Sequence, residues 1–98
     1  MICHMVFYRL KPGSTEADEA RLIDEARRQL PLLTGVRNLR AGKNMAPAEN
    51  GYSVALVMDF EDGAALEAYR VHPDHQFFVQ QIAGPLVSEI WRYDFRWE

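Results

Sequence analysis

Two stretches of the chain, Ile2–Leu10 (ICHMVFYRL) and Tyr52–Phe60 (YSVALVMDF), are apolar at odd and even positions alike. Their β-branched and aromatic residues favour strands, and successive strand residues point to opposite faces. In the first, Ile2, His4, Val6 and Tyr8 share one face and Cys3, Met5 and Phe7 the other; in the second, Tyr52, Val54, Leu56, Met58 and Phe60 share a face. A strand apolar on both faces must be covered on both. With 98 residues, the chain is predicted to form one domain, 1–98, with a single core or a core completed by a partner.

The segments between these strands supply one covering layer. Pro12-Gly13-Ser14 ends the first strand, and Ser14 or Thr15 caps a helix predicted from about Thr15 to Leu30. Glu16 and Asp18 suit its positive end, Arg27 and Arg28 its negative end, and Leu22, Ile23, Ala26, Leu30 and Leu33 recur at helical spacing. Val36–Lys43 reads as a weaker edge strand and Ala46–Gly51 as a loop. Asp62 caps a second helix carrying Leu66 and Tyr69; Pro73 interrupts it, and helical turns continue through Phe77, Phe78 and Ile82. Leu86–Trp97 is the last strand, with Trp91, Tyr93, Phe95 and Trp97 on one face and Arg92, Asp94 and Arg96 on the other.

The resulting order, βαββαβ, predicts an α+β, ferredoxin-like fold: a four-stranded antiparallel sheet with both helices on one face. The opposite face, carrying Met5, Phe7 and Val57, is then bare, and wetting apolar surface costs about 25 cal/mol per Å². A symmetric homodimer, sheet against sheet, is the expected solution.

Charge and composition narrow the function classes. A net charge of −3 with scattered Lys and Arg argues against nucleic acid as a partner. No apolar run reaches the ~18 residues that span a bilayer, and the N-terminus lacks signal-peptide features, so no membrane partner and a cytoplasmic location are expected. The single cysteine, Cys3, excludes an internal disulfide and is read as a packing residue.

The chemistry-bearing stretch is YRVHPDHQFF, Tyr69–Phe78, which holds two of the three histidines. Histidine titrates near neutral pH and can act as acid, base or ligand. His72 before Pro73 is also suited to capping a helix whose first turn takes the proline. Three-residue steps from Tyr69 to His72 to His75 would align all three along a helix, unless Pro73 bends it. If the His4 face lies under the helices, His4 points toward the pocket they cover. The HxxH spacing lacks the glutamate of HExxH and contains a proline, so no metal is expected from His72, Asp74, His75 or His4.

The whole pattern, and AYRVHPDH above all (Tyr-x-x-His-Pro-x-His), resembles the stress-responsive α/β-barrel domain, the Dabb family. The resemblance implies a dimeric α+β barrel: two ferredoxin-like protomers with facing sheets and outer helices. The family includes a plant polyketide cyclase that closes a β-keto chain by aldol condensation. Carried over, His75 is the base and Tyr69 assists, with His72 and His4 nearby. Two polar groups of that cyclase's pocket correspond here to Ala26 and Val54. The pocket walls expected on this basis are Val6, Tyr8, Ala26, Leu30 and Val54, with Leu56, Phe77, Phe78 and Ile82.

The primary expectation is a cofactor-independent lyase or cyclase with His75, Tyr69 and His4 as catalytic residues, acting on a small apolar or aromatic carbonyl compound. The competing expectation is a non-catalytic binding or stress-response protein, for which the loss of polar groups at Ala26 and Val54 speaks. A haem or quinol oxygenase on a related barrel is a third reading, against which the Tyr-x-x-His-Pro-x-His match counts.

Overall fold

The two strands that demand cover on both faces lie side by side at the centre of the sheet. In the computed structural model, which describes residues 1–46 and 50–97, the chain runs β1 (Ile2–Leu10), α1 (Glu16–Gln29), β2 (Arg37–Lys43), β3 (Tyr52–Phe60), α2 (Gly63–Val71), α3 (Pro73–Phe77) and β4 (Val87–Arg96). The sheet is four-stranded and antiparallel, in the order β2-β3-β1-β4. The expected loop over Ala46–Gly51 lies partly outside the described residues.

Local signals position each element. Thr15 and Asp18 form a reciprocal capping box at the start of α1, and Asp62 caps α2 by accepting from the Ala65 amide at 2.9 Å. The α1 stripe is buried as its spacing requires: Leu22 and Leu30 are fully enclosed, and Ile23, Ala26 and Leu33 are buried. The α-helix stops at Gln29 rather than Leu30, because a 3₁₀ turn at Leu30–Leu32, which contains Pro31, tightens its end. These side chains pack against Val6, Leu56, Met58 and Phe60 of the central strands, so one core fills the space between helices and sheet.

After α3 the chain stays helical, as the sequence leads one to expect, but with a wider winding. Phe78–Ala83 is π-helical and a single helical turn follows at Gly84–Leu86. The Gly84 amide donates to the Val79 carbonyl, five residues back, and a Cβ on Gly84 would sit 3.0 Å from that oxygen. The wider winding turns Phe78, Ile82 and Ala83 into the core.

The other sheet face carries no helix. Met5, Phe7 and Val57 are half-buried there, and Trp91, Tyr93 and Phe95 of β4 are 60%, 57% and 42% exposed. Register places Phe7 beside Trp91 and Met5 beside Tyr93, a contiguous apolar surface of the kind that marks an interface. No helix among the described residues is long and apolar enough to cross a membrane.

Candidate functional site

Antiparallel pairing brings the chain's two ends together under α2 and α3. On β1, alternation turns His4, Val6 and Tyr8 toward the helices, where all three are buried. On β4 the partners of His4 and Val6 are Asp94 and Arg92. A cavity of about 380 Å³ opens between these strand positions and the junction of α2 with α3, where Tyr69 and His75 complete it. That volume falls in the range of small-molecule sites.

The junction owes its shape to His72-Pro73. A residue before proline avoids helical backbone angles, and His72 is extended, with φ −64° and ψ 135°. It ends α2 and caps α3, its Nδ1 accepting from the Asp74 amide at 3.0 Å. Tyr69, His72 and His75 are therefore not aligned on one helix. The break instead folds α3 back so that the rings of Tyr69 and His75 pack at 4.3 Å between centroids. His72 serves the junction and does not line the cavity.

His75 has a defined proton arrangement. The last carbonyls of a helix lack partners within it, and the Arg70 carbonyl near the end of α2 accepts from His75 Nδ1 at 3.1 Å and from Gln76 Nε2 at 2.8 Å. A carbonyl oxygen only accepts, so His75 Nδ1 carries the proton and, in the neutral ring, Nε2 holds the lone pair. Burial pushes the His75 pKa below the ordinary 6.5; the hydrogen bond to Arg70 opposes this, and the charges of His4, Arg92 and Arg70 add to it. The neutral base is the favoured form at neutral pH.

His4 and Tyr69 frame this base. His4 Nδ1 donates to the Asp94 carboxylate, an imidazole–carboxylate pair that fixes the ring. The Tyr69 ring packs edge-on to His4 at 6.0 Å and tilted on Phe60 at 5.0 Å. Burial, and secondarily Tyr8, raises the pKa of the Tyr69 hydroxyl, which stays protonated and able to donate. Tyr8 is likewise raised by burial, against the pull of Arg92.

The structure sorts the expected pocket walls. Val6 and Tyr8 line the cavity with His4, Tyr69 and His75. Ala26, Leu30, Leu56, Phe78 and Ile82 belong to the packed core, where the α1 stripe and the π-helical segment pack with the sheet's side chains. Val54 is also buried in that core and borders a different, larger hollow of about 950 Å³ across the open side of the sheet, remote from the histidines. Phe77, the last residue of α3, is 54% exposed.

The cavity is more polar than expected. Asp94, Arg92, Arg70 and Glu67 join it, with Val79 and Ile90 among its apolar wall. The signal for Asp94 and Arg92 was present in the alternation of β4, whose charged face must point to the helices once Trp91, Tyr93 and Phe95 take the open side. Among the described residues no three His, Cys, Asp or Glu side chains group as metal ligands.

The fold recurs in solved structures. A Mesorhizobium loti Dabb-family protein with a ferredoxin-like fold is similar at 30% identity, over 97% of this chain and 94% of that one, with a TM-score of 0.84. A dimeric ferredoxin-like protein of unknown function from Thermobifida fusca matches at 22% identity over 96% and 88%, with a TM-score of 0.82. A hydroxynitrile lyase from Passiflora edulis shares the fold at 16% identity over 96% and 90%, with a TM-score of 0.80. No curated protein sequence matches the chain. Residues 2–97 match the stress responsive A/B barrel domain, and the chain belongs to this Dabb family.

Proposed function

We propose that the protein is a cofactor-independent lyase or cyclase that moves a proton next to a carbonyl, with His75 as general base. The observation that carries this reading is the hydrogen bond from His75 Nδ1 to the Arg70 carbonyl, which leaves Nε2 as a lone-pair nitrogen on a residue that lines the cavity. Nε2 takes the proton α to a substrate carbonyl, and the C–H electron pair passes through carbon to the carbonyl oxygen. The protonated Tyr69 hydroxyl donates to the enolate oxygen that forms. The enolate carbon then bonds to a second carbonyl carbon of the same substrate, whose oxygen becomes an alkoxide. That alkoxide takes the proton back from His75 Nε2, which restores the base with no other reactant consumed. Run in reverse, the same steps cleave a carbon–carbon bond. His4, held by Asp94, packs beside Tyr69 and orients it.

The same reading includes a homodimer formed sheet against sheet, supported by the open apolar face and by relatives described as dimeric. The dimer covers the face opposite the histidines and leaves the cavity open.

The test is α-proton exchange in D₂O on an aryl methyl ketone and turnover of a β-keto thioester, comparing wild type with His75→Ala and His75→Gln. Loss of about 10²-fold or more in exchange, with the far-ultraviolet circular dichroism unchanged, is expected when a general base is removed. Equal exchange by wild type and both variants overturns the catalytic reading in favour of a binding protein.

A further inference from the structure

The cavity's two carboxylates, Glu67 and Asp94, balance its two guanidiniums, Arg70 and Arg92, in number but not in pairing. Asp94 is engaged by His4, and Glu67 lies 3.9 Å from Arg70. Elsewhere on β4, Glu89 pairs with Arg9 at 2.7 Å. Among the described residues these ion pairs leave Arg92 without a carboxylate partner. Arg92 faces the helices beside Val6 and lines the same cavity as Tyr8, Tyr69 and His75. It lies on the opposite side of β4 from Trp91 and Tyr93, so a second copy seated on the open face does not cover it.

We propose that Arg92 is an anion-binding, specificity-determining residue, and that the substrate is a small aryl or alkyl carbonyl compound bearing a carboxylate. A guanidinium matches a carboxylate with two parallel N–H donors, and the walls of Val6, Val79 and Ile90 take the hydrocarbon part. Seated this way, the carboxylate end is fixed at β4 and the carbonyl end faces His75 and Tyr69. The Tyr8 hydroxyl, held protonated by its burial, is a further donor to the same anion. Arg92 also works against protonation of His75, so the residue that attracts the substrate helps keep the base neutral.

This inference rests on the general-base reading, and one pair of probes separates the two. Phenylpyruvate and phenylacetone both carry an aryl group and a ketone, and only the first carries a carboxylate. Their binding is followed by ¹H–¹⁵N NMR titration, and α-deuterium exchange is read on the same samples. Wild type is expected to bind phenylpyruvate at least about tenfold more tightly than phenylacetone. That preference should disappear in Arg92→Leu, be partly kept in Arg92→Lys, and weaken with added salt. Equal affinity of wild type for the two probes, or an unchanged preference in a folded Arg92→Leu, overturns the role of Arg92. Loss of exchange in His75→Ala with the preference intact leaves that role standing and reports on the base alone.

Discussion

If the chain pairs sheet against sheet as proposed, replacing Trp91 with alanine should convert that dimer to monomer at working concentrations. Trp91 sits on the open face beside Phe7 and is 60% exposed in one protomer. A tryptophan offers up to about 250 Å² for burial, so roughly 150 Å² of each copy waits to be covered. At about 25 cal/mol per Å² that corresponds to roughly 4 kcal/mol per protomer, and symmetry counts it twice. Alanine retains part of that area, and rim water and side-chain ordering reduce the remainder. About 3–6 kcal/mol is a reasonable net loss, which raises the dissociation constant by about 10² to 10⁴. Sedimentation equilibrium from nanomolar to micromolar concentration measures the change, with circular dichroism as the control for folding. A wild-type monomer, or a Trp91→Ala dimer of unchanged affinity, refutes the reasoning.

Three smaller predictions follow the same logic. Asp94→Ala leaves the buried His4 ring without its acceptor and should cost about 1–3 kcal/mol in urea unfolding, with a smaller loss for Asp94→Asn. Thr15→Ala removes the capping box of α1 and should cost about 1 kcal/mol in the same assay. Because the folded-state pKa of His75 lies below the unfolded value near 6.5, the unfolded chain binds more protons between the two values. Its contribution to stability is therefore complete above about pH 6.5 and is lost as pH falls through the folded-state pKa. Urea midpoints of wild type should drop across that window more than those of His75→Gln, and equal slopes would contradict the assignment.

Much of the fold was legible because it follows from alternation and periodicity. The two-sided apolar strands Ile2–Leu10 and Tyr52–Phe60 are the central pair, and the Leu22, Ile23, Ala26, Leu30, Leu33 stripe is buried as spaced. His72 could be read as a cap because the proline after it suits the first turn of a helix. The cavity walls were harder, since they depend on distances between elements. Ala26, Leu30 and Phe78 share a helix-covered layer with the site, yet they sit in the packed core, whereas the cavity lies near the α2–α3 junction. The pairing of His4 with Asp94 joins residues 90 apart, and it requires both the strand order and the register. The π-helical winding at Phe78–Ala83 has no periodic signature that a short sequence window could carry.

General-base chemistry at His75 depends most on the position of one ring proton. Nitrogen-15 NMR of selectively labelled His75 at neutral pH, assigned by comparison with His75→Gln, reads the state of Nδ1 and Nε2 directly. A neutral ring with the proton on Nδ1 and a lone-pair Nε2 that shifts when phenylpyruvate is added is the predicted result. A proton on Nε2, or a doubly protonated ring at neutral pH, contradicts the assignment of His75 as base.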